Sequence, residues 1–266
     1  MMRKFLPEEL KKLSKPHEFS SNEDNGQVTI IGGSKLFHGA PILALKTASR
    51  IVDMVFFASP ELSVGGIAEQ LKSKLGSFIW IPWDEVGEYI AKSDAILIGP
   101  GLMRYHSENK RVKEQAFVPS SGRGKSKKFY DEAGNQSKEI TEKLLRQFPN
   151  KQWVIDAGSL QVMEPKYIPK NAILTPNQKE FRGLFGAEVA PLNGAPHALA
   201  SKYHCIIVLK GVETIVCSPQ ECVLVGGGNA GLTKGGTGDV LAGFVAALAC
   251  NNDLFLAASA GSFINI

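Results

Sequence analysis

Short, solidly apolar runs recur along almost the whole chain and alternate with segments of helical pattern. A strand that is apolar on both sides is covered on both faces, which is typical of a parallel sheet with helices above and below it. The alternation therefore predicts an α/β protein with a central, mostly parallel sheet. The predicted strand runs are QVTIIGG (27–33), MVFFAS (54–59), FIWIP (78–82), AILIGPG (95–101), WVIDAG (153–158), AILTPN (172–177) and HCIIVLKG (204–211).

Other segments complete a single predicted domain over residues 1–266, since neither an internal repeat nor a second core is evident. TIVCS and CVLVG flank SPQE, which predicts a β-hairpin, and DVLAGFVAALAC predicts a largely buried helix. The opening residues, with Pro7 in the first turn, predict an amphipathic helix. Residues 104–137 carry few aliphatic side chains and several unpaired basic ones, so we expect a mobile surface insertion; the alternative is a lid that pairs with phosphates.

Composition excludes several classes of protein. With 44% hydrophobic and 21% charged residues in 266, the chain can bury a core and is not disordered as a whole. The net charge of +4 suits anionic small ligands as well as nucleic acid, and we expect no nucleic-acid partner. Four Cys without a Cys-x-x-Cys pair predict reduced, packed thiols, although Cys217 and Cys222 could face each other across the hairpin. The five scattered His do not favour a metal site.

The termini and the apolar runs bear on location. The basic start has no uninterrupted apolar stretch of the kind found in signal peptides, and no apolar run approaches the roughly 18 residues of a membrane span. We therefore expect a cytoplasmic protein without a membrane partner.

Polar and glycine-rich clusters follow five of the predicted strands. In an open parallel sheet, ligands bind in the crevice outside the carboxyl ends of the strands. Each cluster alone could be an ordinary turn, but five at one edge predict one binding site. The clusters are GGSKLFHGAP, GPG, DAG, TPNQKE and KG.

The densest signal is the loop GGGNAGLTKGGTGDVLAGF, residues 226–244. Gly235, Gly236 and Gly238 leave backbone N–H groups free to face an anion at the start of the following helix. Asp239 at that helix N-terminus could be an ordinary first-turn acid, or it could accept the proton of a hydroxyl that attacks a phosphoryl group. The loop matches neither a Walker sequence nor a Rossmann fingerprint, because it follows a hairpin and lacks G-x-x-x-x-G-K-[ST].

The order of these motifs, GGS…GAP, IGPG, VIDAG, ILTPN, VLKG and NAGLTKGGTGDVLAG, resembles the ADP/ATP-dependent NAD(P)H-hydrate dehydratases of the ribokinase-like superfamily. The resemblance runs from about Val28 to Phe244 and omits the insertion. It implies a three-layer sandwich with helices on both faces of the sheet. It also implies repair of hydrated NADH or NADPH, in which ADP or ATP with Mg²⁺ phosphorylates the C6 hydroxyl and the ring then expels phosphate.

Carried over by position, the resemblance implies roles for individual residues. Asp239 would act on the reacting hydroxyl as the catalytic residue, and Asp156 could serve phosphate or Mg²⁺ or merely cap a loop. The implied hydrate-binding residues are Ala40, Gly101, Asn177 and Asp239. The implied nucleotide-binding residues are Lys210, Gly211, Val212, Glu213, Thr214, Asn229, Thr233, Gly235, Gly236 and Gly238.

Three departures from the family pattern keep other functions open. TPNQKE replaces the TPHPGE usual in bacterial members, the chain ends only 27 residues after Asp239, and the fused N-terminal epimerase domain is not found. We thus expect a short C-terminus and a separate epimerase acting in the same pathway. The alternatives are a ribokinase-like kinase of a small vitamin-precursor alcohol, of the hydroxymethylpyrimidine or hydroxyethylthiazole type, and a non-catalytic nucleotide-binding protein. The resemblance is compatible with a homo-oligomer.

Overall fold

A computed structural model describes residues 2–21, 23–106, 124–186 and 194–266. Within them one ten-stranded sheet has the order β1-β10-β9-β8-β7-β6-β5-β2-β3-β4. All pairs are parallel except β8 with β9 and β9 with β10, which form the antiparallel edge. The strands are β1 (Arg3–Lys4), β2 (Gln27–Ile31), β3 (Met54–Ala58), β4 (Ile79–Trp80), β5 (Ala95–Ile98), β6 (Gln152–Ile155), β7 (Ile173–Leu174), β8 (Ile206–Leu209), β9 (Thr214–Cys217) and β10 (Cys222–Val225).

Helices cover both faces of this sheet. Buried side chains of α1, α2, α8 and α9 join one hydrophobic core, and those of α3 to α7 join the other. In the described ranges the α-helices are α1 (Gly39–Ala48), α2 (Ser63–Lys72), α3 (Val86–Lys92), α4 (Gly124–Gln147), α5 (Ala157–Val162), α6 (Gln178–Phe185), α7 (Ala195–Tyr203), α8 (Thr237–Leu248) and α9 (Leu254–Ile264). The architecture is the predicted three-layer α/β sandwich.

Strand β5 shows why the apolar runs are continuous. Ala95 and Leu97 face the core beneath α1 and α8, whereas Ile96 and Ile98 face the core beneath α4 and α5, and all four are fully buried. Because successive side chains of a strand alternate between faces, a strand with two covered faces needs an apolar residue at every position. All seven predicted strand runs contain a strand, and the predicted hairpin and buried C-terminal helix are confirmed as β9–β10 and α8.

Three local expectations need correction. The opening residues include a short strand, β1, that was not predicted and pairs with β10; the predicted helix follows it as a 3₁₀-helix at Pro7–Lys12. The prediction that the cysteines are reduced is wrong for one pair. Cross-strand pairing places Cys217 opposite Cys222, and the two form a disulfide.

The third correction concerns the predicted insertion, 104–137. Its last fourteen residues, 124–137, form the first part of α4, whose exposed side is polar and whose buried side carries Leu144 and Leu145 farther along. Within residues 124–137 the low aliphatic content is that of a helix and not of a loop. Residues 107–123 lie outside the described residues, so the predicted lid is untested there. No helix in the described ranges is long and apolar enough to cross a membrane.

Helices α1 and α8 cross closely, and this contact gives a first testable prediction. A methyl group on Gly243 of α8 would lie 2.6 Å from the carbonyl oxygen of Ala44 in α1, whereas one on Gly183 of α6 would meet nothing within 4 Å. We expect Gly243→Ala to lower the free energy of unfolding by about 1 to 3 kcal/mol through overpacking. The matched Gly183→Ala should raise it by about 0.4 to 1 kcal/mol, because alanine restricts the unfolded chain. Urea unfolding curves measure both, and equal stability of the two variants would contradict the close crossing.

Candidate active site

The loops after β2 and β5 interlock at the carboxyl edge of the sheet. Gly101 has φ +74°, and a Cβ there would lie 2.1 Å from the carbonyl oxygen of Phe37 and 2.9 Å from the ring of Pro41. Only glycine permits both this backbone conformation and this approach. Ala40 precedes Pro41 at the start of α1, so the structure brings two of the predicted hydrate-binding residues, Ala40 and Gly101, onto adjoining loops.

A buried charged group lies at the ends of the neighbouring strands β6, β7 and β8. Asp156 is only 1% exposed, and its Oδ1 accepts hydrogen bonds from Thr175 Oγ1 at 2.7 Å and Lys210 Nζ at 2.9 Å. The Glu180 carboxylate lies 3.9 Å from the same ammonium. A Cβ on Gly238 would lie 3.2 Å from Lys210 Nζ, so the ammonium sits directly under the start of α8. We call Asp156, Glu180, Lys210 and Asp239 the lysine cluster.

Asp156 occupies the N-cap position of α5, yet its side chain makes no capping hydrogen bond. Its carboxylate instead points at Thr175 and Lys210, and the simple loop-capping alternative is therefore wrong. A buried carboxylate is stabilised when its lone pairs are satisfied by donors and an opposite charge, and both are supplied here.

The charges of the cluster set one another's pKa values. Burial alone would lower the pKa of Lys210, but the nearby carboxylates of Asp156 and Glu180 outweigh it and raise that pKa. Burial raises the pKa of Glu180, and the ammonium of Lys210 opposes this rise. Lys210 is consequently held as a cation beneath the glycine loop, where it can face an anion.

Asp239 lies in the first turn of α8 and is half-buried. Burial, followed by the negative charge of Asp156, raises its pKa to about 7, while Lys210 acts in the opposite direction. A carboxyl group whose pKa is near neutrality can both accept and return a proton at working pH, which is the property of a general base. The structure thus places a half-buried carboxyl group, whose pKa the charge of Lys210 also influences, at the N-terminus of α8.

The glycine loop leads directly into this helix. Gly236 is the N-cap of α8 at φ +100°, a left-handed backbone conformation that favours glycine, and a Cβ there would displace the end of the Leu43 side chain, 2.4 Å away. Gly235 is exposed, with open space where a Cβ would stand. The N-terminus of α8 is therefore reachable through its backbone amides, as anion sites at helix N-termini require.

The remaining predicted nucleotide residues lie on two exposed turns. Asn229 caps a 3₁₀-helix at Ala230–Thr233 by accepting the Gly231 N–H at 2.8 Å, and the Thr233 hydroxyl donates to the Ala230 carbonyl at 2.7 Å. The second turn joins β8 to β9 and contains Gly211, Val212 and Glu213, and Thr214 begins β9 directly after it.

This second turn lies beside the start of α6. The backbone of Lys210 bridges Asn177, and a Cβ on Gly211 would lie 3.7 Å from Gln178 Nε2. Val212 is 97% exposed and projects from the turn. The predicted nucleotide residues therefore border the lysine cluster on its β8 side.

Asn177 begins α6 as its N-cap. Its Oδ1 accepts the N–H groups of Lys179 and Glu180, both at 2.9 Å, and Glu180 Oε2 accepts the N–H of Asn177 at 2.9 Å. This capping box uses the side-chain oxygen of Asn177 structurally. The residue is exposed at the edge of the crevice, so its amide nitrogen can still meet a ligand.

Residue patterns alone missed three members of the site. Glu180, Thr175 and Gln161 complete the hydrogen bonding around the cluster, with Gln161 Nε2 donating to Glu180 Oε1 at 3.1 Å. The three-residue spacing from Asn177 to Glu180 is a sequence signal for a capping box. It does not reveal that Glu180 is buried beside Lys210, because that depends on the pairing of β7 with β8.

Fold and site together define a class of protein. A mostly parallel sheet with helices on both faces, and an acid and a glycine loop at its carboxyl edge, constitute a ribokinase-like α/β fold. A ribokinase-like protein from Enterococcus faecalis has the same fold, with a TM-score of 0.76 and 20% identity over 99% of this chain and 86% of that one. The ADP/ATP-dependent NAD(P)H-hydrate dehydratase of Bacillus subtilis, crystallised with ATP and Mg²⁺, superposes with a TM-score of 0.72 and 22% identity over 99% of this chain and 87% of that one.

The family follows from sequence comparison. The sequence model of the NAD(P)H-hydrate dehydratases matches residues 28–266, and the chain belongs to this family. It is 34% identical over 259 residues to the bifunctional NAD(P)H-hydrate repair enzyme Nnr of Methanocaldococcus jannaschii, covering 97% of this chain and 46% of that protein. It is 27% identical over 282 residues to the ADP-dependent (S)-NAD(P)H-hydrate dehydratase of Cenarchaeum symbiosum, covering 99% and 84%. The chain spans about half the length of the bifunctional relatives that it matches.

Proposed function

We propose that this protein is a lyase that restores hydrated NADH or NADPH to the reduced dinucleotide at the expense of ADP or ATP. The terminal phosphoryl group passes to the C6 hydroxyl oxygen of the hydrate, and phosphate then leaves with a proton from C5, which reforms the C5–C6 double bond. Phosphate is a much better leaving group than water. The observation that carries the proposal is family membership across residues 28–266, which include the acid of the glycine loop.

The site suggests how its residues divide the work. Asp239 would accept the proton of the C6 hydroxyl as it attacks phosphorus, which its pKa of about 7 supports. Lys210 and the amides after Gly235 would bind the phosphates of the nucleotide, since a cation and a helix N-terminus both stabilise transferring phosphoryl groups. Ala40, Gly101 and Asn177 would contact the hydrate.

The predicted nucleotide side of the site extends beyond these atoms. The turn with Gly211, Val212 and Glu213, together with Thr214 at the start of β9, would border the adenosine part of the nucleotide. The loop with Asn229, Thr233, Gly236 and Gly238 would enclose its phosphates. The position of both segments near Lys210 supports this assignment of one segment to the adenosine and the other to the phosphates.

Mg²⁺ suits the electrostatics of this site. The lysine cluster has three carboxyl groups and one ammonium, so an anionic nucleotide beside it needs an additional cation. No group of three or more His, Cys, Asp or Glu in the described ranges is arranged to hold a metal ion by itself. Mg²⁺ is usually held by nucleotide phosphates with one or two carboxylates and water. We propose that the nucleotide phosphates together with a carboxylate of the lysine cluster would hold Mg²⁺, which would supply positive charge to offset that of the transferring phosphoryl group.

The proposed partner and location are those expected for the proposed reaction. The partner is a small molecule, the hydrate of NADH or NADPH. We retain a cytoplasmic location as a prediction, and the proposed reaction is compatible with a homo-oligomer.

Absorbance at 340 nm tests the proposed function directly. Hydrated NADH or NADPH is mixed with the protein, Mg²⁺ and either ADP or ATP, and restored absorbance supports the dehydratase. A kinase of a small vitamin-precursor alcohol would consume nucleotide with that alcohol and leave the hydrate unchanged. Protein without nucleotide, and nucleotide without protein, serve as controls. Unchanged absorbance with both nucleotides would contradict the proposal.

A pair of substitutions at Asn177 separates substrate recognition from helix capping. Asn177→Ala removes both functions and should lower stability by about 1 kcal/mol and hydrate affinity by about 1 to 3 kcal/mol. Asn177→Ser keeps a capping oxygen but removes the amide, so it should lose hydrate affinity while melting near the wild-type temperature. Calorimetric titrations with hydrated NADH and with ADP, and melting curves, measure these effects. Equal loss of both affinities would contradict the partition between hydrate and nucleotide.

A further inference from the structure

Thr237 is the first residue of α8, and none of the roles assigned above uses it. Its hydroxyl oxygen lies 2.8 Å from the carbonyl oxygen of Leu232 and 3.0 Å from that of Lys234, and the hydroxyl donates its hydrogen to these two acceptors. The backbone N–H of Thr237 also donates to the Lys234 carbonyl, at 3.4 Å. Thr237 therefore fastens the glycine loop to the start of the helix.

The two carbonyl groups belong to the end of the 3₁₀-helix at Ala230–Thr233. Leu232 lies in that helix, and Lys234 is its C-cap. The last carbonyl groups of a helix have no partner within it, so another donor must satisfy them. A carbonyl oxygen carries a partial negative charge and would repel a phosphate. By engaging both oxygens, the Thr237 hydroxyl keeps this negative side of the loop turned toward α8.

The peptide group between Lys234 and Gly235 connects this contact to an amide. No peptide bond in the described ranges is cis. In a planar trans peptide group the C=O and the N–H point in opposite directions. Because the carbonyl of Lys234 points at Thr237, the N–H of Gly235 points away from it.

The N–H of Gly235 is open to a ligand. Gly235 is exposed, with open space where a Cβ would stand. In the part of the chain that the structure describes, its N–H donates to no protein acceptor, and the same is true of the N–H groups of Gly236, Gly238 and Asp239. Successive backbone N–H groups of this kind form anion-binding concavities.

We propose that Thr237 is a positioning residue for nucleotide binding. By holding the carbonyl groups of Leu232 and Lys234 aside, it aims the N–H of Gly235 at a phosphate of ADP or ATP. The inference rests on the proposed function, which places nucleotide phosphates at this loop but uses only the amides after Gly235. A donor whose direction is fixed before binding costs less free energy to order when the phosphate arrives.

Removing the hydroxyl with little change in side-chain shape tests the proposal. Thr237→Val should bind ADP about tenfold more weakly in calorimetric titrations, because the N–H of Gly235 loses its fixed direction. Thr237→Ser keeps the hydroxyl and should recover most of that loss. The matched control is Thr47→Val in α1, where a half-buried threonine also donates its hydroxyl to a carbonyl, that of Leu43 at 3.0 Å.

Melting curves separate a positioning role from a merely structural one. Both valine variants lose a hydroxyl hydrogen bond, so both should melt about 2 to 4 °C below the wild-type protein. Well below these temperatures a structural role would leave ADP affinity intact. We expect only Thr237→Val to lose ADP affinity, with a raised KM for ADP and unchanged affinity for hydrated NADH. Equal ADP affinity in the two valine variants, or a loss that falls on the hydrate, would overturn the inference.

A double-mutant cycle tests the route through Gly235. Gly235→Pro removes the N–H, whereas Gly235→Ala keeps it and fits the open space at this position. The extended backbone of Lys234 suits a residue before proline. The proline variant should bind ADP at least about tenfold more weakly than the alanine variant. Adding Thr237→Val to it should cause little further loss, because the amide that Thr237 positions is already gone.

Additive losses in this cycle would show that Thr237 does not act through Gly235. If the proline variant does not fold, the comparison of Thr237→Val with Thr237→Ser and Thr47→Val decides the inference. The proposed function is read separately, since ADP titration needs neither hydrate nor turnover. Wild-type protein that binds ADP but leaves absorbance at 340 nm unchanged counts against the dehydratase alone. Restored absorbance with unaltered ADP affinity in Thr237→Val counts against the inference alone.

Discussion

Replacing Asp239 by Asn is expected to lower turnover of hydrated NADH by about 100-fold or more while ADP still binds. The amide keeps the shape of the carboxyl group at the start of α8 but cannot take the proton of the attacking hydroxyl. Wild-type kcat/KM should rise with pH through about 7, as the carboxyl group ionises, because burial and the charge of Asp156 raise its pKa to that value. Stopped-flow absorbance at 340 nm and calorimetric titration with ADP measure the two quantities.

Stability supplies an independent readout for the same variant. The folded-state pKa of Asp239 lies above its unfolded value, so ionisation destabilises the folded protein, and this loss develops between about pH 4 and pH 7. Asp239→Asn should therefore raise the free energy of unfolding at pH 8 by about 1 kcal/mol, discounted because the group is only half-buried, and change it little at pH 4. Asp84→Asn, at an exposed acid, serves as the control. Near-normal turnover in Asp239→Asn would remove the residue from the chemistry.

Replacing Lys210 by Met is expected to cause the largest loss of stability, about 3 to 5 kcal/mol, together with loss of nucleotide binding. The substitution leaves the carboxylate of Asp156 buried without its cation, and breaking a buried pair from one side carries this penalty. It also removes the charge that counteracts the raised pKa of Asp239, so any residual activity should require higher pH. Thermal unfolding and ADP titration measure the effects, with Lys170→Met as the control for an exposed lysine.

A double variant separates the structural from the functional part of that effect. Asp156→Asn with Lys210→Met removes both buried charges and keeps an acceptor for the hydroxyl of Thr175. We expect part of the stability to return, because Asp156 no longer leaves a buried charge without its cation, whereas Glu180 still lacks Lys210 and ADP binding stays weak. Recovery of ADP affinity along with stability would show that Lys210 acts only by supporting the fold.

The sequence was most informative where the fold depends on local pattern. Continuous apolar runs such as that of β5 can be buried only between two layers, so they predict a parallel sheet without knowledge of any contact. The strand β1 escaped prediction, because it exists only through its pairing with β10, about 220 residues farther along the chain. The disulfide escaped for a related reason, since it depends on the register that places Cys217 opposite Cys222.

The same division holds within the site. By itself the sequence determined that glycine loops and polar residues follow the strands, and that Asp239 stands behind a glycine loop at the start of a helix, because these are matters of order along the chain. Only the tertiary structure decided that Asp156, Glu180 and Lys210 form one buried group beneath that helix. The physical reason is that pKa values and charge pairing depend on distance and burial, and the order of strands in the sheet sets both for residues far apart in sequence.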